Sequence, residues 1–200
     1  MTQLNKAREG YKLTEIGEIP KEWELKKLGE IFDFFSGISI SRDNQVEEGY
    51  FYLHYGDIHK KGKHEFNLIK DKDWIPKIEI DLSKIKEEIL LKTGDIVFVD
   101  ASEDYEGIGK SVVINNPNNE IYIAGLHTII GKEKNKTMDY GYKKYCFSTY
   151  NVRKQFRVLA TGATVFGVTK SSLSTISIPI PPLPEQQKIA DILSSVDEQI

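Results

Sequence analysis

The chain has 200 residues, of which 40% are hydrophobic and 28% charged, a balance typical of a soluble globular protein with one core of ordinary size. The formal net charge of −3 gives no overall preference for an anionic polymer, and the single cysteine, Cys146, excludes an internal disulfide. No apolar run approaches the roughly 18 residues of a membrane span, and the first residues lack the apolar core of a signal peptide. These features predict a cytoplasmic protein.

Charge is distributed unevenly along the chain. Residues 86–106 contain two lysines and seven carboxylates, whereas residues 126–160 contain eight basic residues and two carboxylates. A domain with segregated charge can bind an anionic polymer on one face despite an acidic total. Solvated faces of ordinary helices and strands would give the same counts, so this pattern leaves both interpretations open.

In the first half of the chain, short apolar segments alternate with polar loops. Residues 1–22 are polar and weakly periodic, and residues 39–49 form a polar loop. Residues 50–55 predict a strand, because four of the six are aromatic and aromatic residues are enriched in strands. Residues 59–64, with three lysines and two histidines, are predicted to form an exposed loop.

Four short runs in the second half of the chain predict strands. Residues 96–99 and 111–114 are almost entirely β-branched or aromatic and indicate buried strands. Residues 121–124 and 126–130 are predicted to be two further strands that pair around Gly125.

The chain then changes to helical spacing. Apolar residues recur at three and four over residues 139–159, which predicts a helix with basic residues between its apolar positions. A loop of small and hydroxyl residues is predicted over 160–172, and a strand over 176–180. Several strands with two or three helices in uneven order predict an α+β fold with a mixed, strand-rich sheet.

No set of residues in the sequence assembles a reaction. Residues 107–111 resemble the end of a phosphate-binding loop, but a strand-like run follows where that motif requires a helix. The acidic residues 100–106 could bind magnesium or act in acid–base catalysis, although an exposed loop is the plainer interpretation. His54, His59 and His64 are five apart, which does not fit the usual zinc spacings. We therefore predict no catalytic residues, no metal and no cofactor, and a tight turn that presents Lys110.

Near its end the chain passes from a proline-rich run into a helix. Prolines keep residues 178–183 extended, and Pro184 is suited to the first position of a helix. Residues 185–200 then carry an apolar seam with heptad spacing, which predicts a helix of coiled-coil type. The seam is expected to pack against its own domain, a second copy of the chain or a helix that this chain does not contain. The seam consists of Ile189, Leu193, Val196 and Ile200.

These motifs together resemble the specificity subunit of type I restriction–modification systems. The most specific similarity is the joint IPIPPLPEQQKIA at residues 178–190, preceded by TGAT at 161–164 and SSL at 171–173. Weaker similarities lie earlier in the chain: IPKEWE at 19–24, LGE at 28–30, YGDI at 55–58, KTGDIV at 92–97, IGK at 108–110 and AGLH at 124–127.

The resemblance implies a DNA-recognition role without catalysis in this subunit. It implies an N-terminal segment at 1–19, a target-recognition domain at 20–180, and a joint with the start of a spacer or dimerisation helix at 181–200. Such a domain reads one half of a split target in double-stranded DNA for a methylase subunit and a motor–nuclease subunit. A complete member normally has two such domains, so this chain is expected to be either a truncated piece or a half-size subunit that forms a homodimer through its C-terminal helix.

DNA binding requires cations for phosphates and amide, hydroxyl or guanidinium groups for base edges. The candidate residues are Arg42, Asn44, Lys60, Lys61, Lys63, Lys110, Arg153, Lys154, Arg157, Thr164, Thr169, Lys170 and Ser171. Two other classes of function remain open from the sequence: a metal-dependent DNA-acting enzyme fragment, nuclease or methyltransferase, that uses the acidic residues 100–106, and a protein-interaction domain that does not bind DNA.

Overall fold

The computed structural model describes residues 7–40, 44–62, 64–162 and 165–199, and its mixture of sheets and helices confirms the predicted α+β class. The described strands are β1 Tyr11–Thr14, β2 Gly17–Pro20, β3 Glu24–Lys27, β4 Phe32–Ser36, β5 Gln45–Val46, β6 Tyr50–Leu53, β7 Glu65–Asn67, β8 Lys77–Ile78, β9 Ile96–Val99, β10 Ala101–Ser102, β11 Ser111–Asn115, β12 Tyr122–Ala124, β13 Thr128–Glu133, β14 Phe166–Gly167 and β15 Ser177–Ile180. The described α-helices are α1 Leu28–Ile31, α2 Tyr55–Lys61, α3 Leu68–Asp71, α4 Tyr140–Cys146, α5 Tyr150–Leu159, α6 Lys170–Ser174 and α7 Leu183–Asp197. Short 3₁₀ turns lie at Leu82–Lys84 and Glu87–Ile89.

The central sheet has the strand order β4-β13-β9-β11-β7, antiparallel except for the parallel pair β11 and β7. Strand β9 is buried along its whole length because both of its faces are covered. Ile96 and Phe98 belong to one core cluster, with residues of α4, α5 and α6, whereas Val97 and Val99 belong to a second. Successive side chains on a strand point to opposite faces, so an unbroken apolar run is what a sheet covered on both faces requires.

A second sheet has the order β12-β6-β8-β5, and it corrects one prediction. Strands β12 and β13 do not pair around Gly125: β12 lies parallel to β6, and β13 lies between β4 and β9. The chain passes from one sheet to the other at Gly125, where a Cβ atom would stand 2.6 Å from the carbonyl oxygen of Leu53. His127 follows with φ of 55°, a left-handed conformation that turns the chain into β13.

Three predicted segments differ from the structure for local reasons. The helix predicted over 139–159 is two helices, α4 and α5, because the chain breaks at the buried Phe147, whose ring packs against Phe98. The first half of the predicted loop 59–64, residues 59–61, is the end of α2, which is capped at its start by the side chain of His54. The predicted loop 160–172 contains β14 and the start of α6, which begins with a capping box between Thr169 and Ser172.

Helix α7 is fixed to the domain by its first turns and, near its end, by the Tyr145 hydroxyl of α4, which donates to the Asp197 carboxylate at 2.8 Å. It begins at Leu183, so Pro184 occupies the second helical position, one later than predicted. The buried side chain of Gln186 accepts a hydrogen bond from the backbone N–H of Asp139 at 2.7 Å and donates one to the carbonyl of Pro181 at 2.8 Å. Trp23 Nε1 donates to the Glu185 carboxylate at 2.9 Å.

The predicted seam of α7 is divided between two environments. Ile189 packs against the first core cluster, whereas Leu193 and Val196 are exposed together with Ile192. Ile200 lies outside the described residues. Contact with a partner helix therefore remains a prediction, and it concerns only the exposed residues of the seam.

The N-terminal segment is more ordered than the sequence predicts. Strands β1 and β2 form an antiparallel hairpin, with Ile16 and Ile19 buried. The hairpin crosses the expected boundary between residues 19 and 20, and the domain limits remain a prediction. Among the helices of the described residues, none combines the length and apolarity that crossing a bilayer would take.

Candidate nucleic-acid interface

Three of the predicted DNA contacts, Lys110, Arg153 and Arg157, line one open cavity of about 460 Å³. It lies where the turn before β11, the end of α2 and the start of α5 meet. We call it the basic groove. Its polar lining consists of His64, Glu106, Lys110, Ser111, Ser148, Tyr150, Arg153 and Arg157.

Helix α5 brings its two arginines to the groove through its amphipathic spacing. Val152 and Phe156 are buried in the first core cluster, and each is followed by an arginine, which places Arg153 and Arg157 one turn apart on the groove side. Lys154, predicted as a contact with them, faces another way. It lines a separate cavity of about 560 Å³ beside the β1–β2 hairpin.

Lys110 is presented by a tight turn, as predicted. Gly109 has φ of 65°, a conformation that L side chains rarely adopt, and its Cα packs directly against the ring of Phe156. The turn is closed by a hydrogen bond from Lys110 N to the Gly107 carbonyl at 3.1 Å and one from Gly109 N to the Val99 carbonyl at 3.0 Å. The exposed lysine is thereby fixed to the end of the central strand β9.

The two guanidinium groups share a poorly solvated site. Burial lowers the pKa of Arg153 below its ordinary value, and the adjacent cation of Arg157 lowers it further. Arg153 Nη2 donates to the main-chain carbonyl of Glu106 at 2.8 Å, and Arg157 Nη2 donates to the Glu106 carboxylate at 2.7 Å. Arg153 Nη1 and Arg157 Nε are buried without a hydrogen-bond partner among the described residues.

Much of the uneven charge along the sequence is neutralised by folding. Lys132 pairs with Asp95 at 2.6 Å, which joins the basic segment to the acidic one. Lys143 pairs with Glu133 at 2.7 Å, and both side chains are nearly buried. These two cations have structural roles and contribute little to the positive surface of the basic segment.

Two neighbouring lysines of α2 line a second cleft of about 470 Å³, together with Gln45 and Trp74, but they differ in exposure. Lys60 is exposed. Lys61 is turned inward, where its ammonium pairs with Asp71 and lies 4.6 Å from the centroid of the Trp74 ring. The sequence predicts that both lysines lie in an exposed loop. A helix directs adjacent side chains about 100° apart, so Lys60 is the more exposed of the two.

The other predicted contacts lie away from the basic groove or outside the described residues. Asn44 is exposed just before β5, and Lys170 and Ser171 are exposed on α6. The Thr169 hydroxyl accepts a hydrogen bond from Ser172 N at 3.0 Å and so serves as a helix cap. Arg42, Lys63 and Thr164 lie outside the described residues.

Sequence reasoning missed several residues of the groove. Tyr150 is 72% exposed at the start of α5, and His64 and Ser148 also line the cavity. An exposed aromatic ring beside cations is typical of surfaces that bind nucleic acid. In the sequence, Tyr150 fitted the apolar spacing of a single long helix, so its exposure was visible only after the break between α4 and α5.

The acidic residues 100–106 do not converge on one point. Asp100 pairs with His127 at 3.2 Å, and its burial raises the pKa of its carboxyl group. Asp104 accepts a hydrogen bond from Gly107 N, and Glu106 pairs with Arg157. A search of the described ranges finds no group of three or more histidine, cysteine or acidic residues arranged to hold a metal ion.

A mixed α+β domain with a basic groove, whose last strand runs through a proline joint into a helix, has the architecture of a DNA-recognition domain. Residues 20–200 match the family described as the type I restriction modification DNA specificity domain. The chain belongs to this family, as the resemblance in its sequence predicted.

Curated relatives and solved structures agree with this assignment. The chain is 30% identical over 204 residues to the protein named as the MjaX type I restriction enzyme specificity subunit of Methanocaldococcus jannaschii, and this similarity covers 96% of the chain and 43% of that protein. It is 24% identical to the EcoKI specificity subunit of Escherichia coli K12, over 92% of the chain and 38% of that protein. The chain thus spans about two fifths of the length of these two relatives.

The fold is shared with solved specificity subunits. The S subunit of the type I restriction–modification system from M. genitalium superposes with a TM-score of 0.58 at 16% identity, over 88% of this chain and 39% of that one. The HsdS subunit from Thermoanaerobacter tengcongensis gives a TM-score of 0.58 at 18% identity, over 96% of this chain and 41% of that one.

Proposed function

We propose that the chain reads one half of a split target in double-stranded DNA for a type I restriction–modification complex. Its role is binding, and cleavage and methylation belong to other subunits. The proposed partners are duplex DNA, a methylase subunit and a motor–nuclease subunit. We also propose that the protein acts in the cytoplasm.

One observation carries this proposal. Within a domain of the DNA specificity family, Lys110 meets two arginines of a later helix, Arg153 and Arg157, at one open groove, and an exposed tyrosine lies beside them. Cations of this kind position a protein on the phosphate backbone, and side chains on adjacent loops then read base edges. Lys60 and Gln45, at the second cleft, extend the candidate surface along α2.

The direct test is selection of bound duplexes from a random pool at a stated salt concentration. We expect enrichment of a short defined sequence over its scrambled versions. If the chain is a half-size subunit that dimerises, the selected duplex should contain two identical half-sites separated by a fixed gap. Absence of binding to any duplex at low salt would refute the DNA-recognition proposal and favour a protein-interaction domain.

The exposed part of the α7 seam is the proposed surface for a partner helix, either in a second copy of the chain or in another subunit. Ile192, Leu193 and Val196 form one exposed apolar strip on the second half of α7. An isolated surface strip of this kind is normally covered in the assembled protein. The proposed homodimer would bury it against its own symmetry-related copy.

Leu193→Asp with Val196→Asp should weaken self-association by about tenfold or more, because each carboxylate would lose water in an apolar contact. The free energy of unfolding should change by less than about 1 kcal/mol, since both positions are exposed. Sedimentation over a range of concentrations measures the first effect, and denaturant unfolding measures the second.

Gln187→Asp with Ser195→Asp is the matched control, because it adds the same two charges to α7 at exposed positions outside the strip, one of them far from it and one at its border. The control should leave self-association unchanged. Equal weakening by both pairs of substitutions would indicate general charge repulsion and would exclude the strip as the interface.

A further inference from the structure

The Glu106 side chain occupies an unusual position for an acidic residue on a surface proposed to bind DNA. Its carboxylate pairs with Arg157 Nη2 at 2.7 Å, and its main-chain carbonyl accepts a hydrogen bond from Arg153 Nη2 at 2.8 Å. It therefore brings an anionic oxygen to the two arginines of the basic groove. The Glu106 side chain is itself 74% exposed and lies at the mouth of the cavity.

The site beneath Glu106 has more hydrogen-bond donors than this residue satisfies. Arg153 Nη1 and Arg157 Nε are buried and lack a hydrogen-bond partner among the described residues, and the two arginines lie one helical turn apart. Two adjacent guanidinium groups repel each other, and an unpaired buried donor is costly, so the site favours an anion with several acceptor oxygens. A phosphate group supplies such oxygens, and arginine pairs with it in a planar, two-point geometry.

We propose that this site binds one phosphate of the DNA backbone, and that the Glu106 carboxylate takes the place of that phosphate while the protein is free. The inference rests on the proposed DNA-binding function and identifies the group that opposes it. Binding of DNA at this site requires that the carboxylate leave Arg157, while the main-chain contact to Arg153 keeps the loop in place.

The exchange is energetically accessible because the pair is at the surface. Exposed ion pairs shift an equilibrium by about fivefold or less. The carboxylate would therefore hold the arginine in the free protein without preventing DNA from displacing it.

Removing the carboxylate tests the proposal. In the full chain, Glu106→Gln should tighten binding to duplex DNA about three- to fivefold at about 0.15 M salt. Arg157→Gln removes the phosphate contact in both backgrounds. In the wild-type background it also removes the ion pair with Glu106 that DNA must otherwise break. The loss of affinity should therefore be smaller in the wild-type background than in the Glu106→Gln background. Fluorescence anisotropy of a labelled duplex measures all four proteins of this cycle.

Glu103→Gln is the matched control, since it removes the same charge from the same exposed loop and Glu103 forms no ion pair among the described residues. Equal tightening by Glu103→Gln and Glu106→Gln would overturn the proposal, because it would show only a general effect of net charge. An additive cycle between Glu106 and Arg157 would also overturn it.

A titration with inorganic phosphate separates this inference from the DNA proposal. The Arg157 Nε–H signal in NMR spectra should shift at several-fold lower phosphate concentration in Glu106→Gln than in the wild type. A response to phosphate without binding to any duplex would refute DNA recognition and leave the anion site standing. A signal unmoved by phosphate in both proteins would exclude the site, even if duplex binding were normal.

Discussion

Gly109→Ala should lower the free energy of unfolding by about 3 kcal/mol, the sum of left-handed strain and overpacking. The residue has φ of 65°, where a side chain is strained, and an added Cβ would stand 2.0 Å from Cδ1 of Phe156. That ring cannot easily retreat, because it is fully buried and its centroid lies 6.0 Å from that of Phe98. Denaturant unfolding followed by circular dichroism measures the loss.

Gly62→Ala separates strain from overpacking. Gly62 has nearly the same backbone conformation, with φ of 60°, but an added Cβ would meet no atom within 4 Å. The substitution should therefore cost only about 1 kcal/mol. Similar losses at the two positions would show that Phe156 shifts readily, and the turn that presents Lys110 would then be less tightly fixed than the structure indicates.

Lys110→Gln with Arg153→Gln should weaken binding to every duplex by roughly 30-fold at about 0.15 M salt, because each lost phosphate contact costs about fivefold under these conditions. The slope of log affinity against log salt should become shallower by about 1.8. Sequence preference should change little, since phosphate contacts carry no base information. Anisotropy titrations at several salt concentrations, with selected and scrambled duplexes, measure both quantities.

Lys27→Gln with Lys154→Gln removes the same two charges from the cavity on another face of α5. This control should alter the affinity by no more than a few-fold and leave the salt slope almost unchanged. A control that weakened binding as strongly as the groove substitutions would move the footprint to the hairpin side of the domain. The Arg153 guanidinium also donates a hydrogen bond to the Glu106 carbonyl. The free energy of unfolding of Arg153→Gln is therefore measured together with the affinities of the two double variants.

The sequence predicts those parts of the fold in which local pattern and tertiary environment agree. Residues 96–99 are apolar throughout because both faces of β9 are covered, and the run at 176–180 becomes β15. The pairing of strands could not be predicted in the same way. Nothing local to Gly125 indicates that β12 and β13 belong to different sheets, because their partners come from distant parts of the chain.

The candidate site is predictable as a set of residue types but not as a geometry. Arg153 and Lys154 are adjacent and both positively charged, and only the start of α5 at Tyr150 determines which one faces the groove. The pair between Glu106 and Arg157 joins residues 51 positions apart, one from each of the oppositely charged segments. Its formation depends on tertiary packing that neither segment encodes alone.

The pairing of β3 with β15 has a consequence for how the domain forms in the cell. Strand β3, Glu24–Lys27, finds its antiparallel partner only in Ser177–Ile180, near the other end of the described chain. During synthesis the backbone groups of β3 that pair with β15 therefore remain unpaired until almost the whole domain has left the ribosome. Topologies dominated by such long-range contacts fold slowly, and an unpaired strand edge is prone to aggregation. Fragments that end before β15 should consequently accumulate in insoluble form, which sets a practical lower limit on how far this domain can be shortened from its C-terminal side.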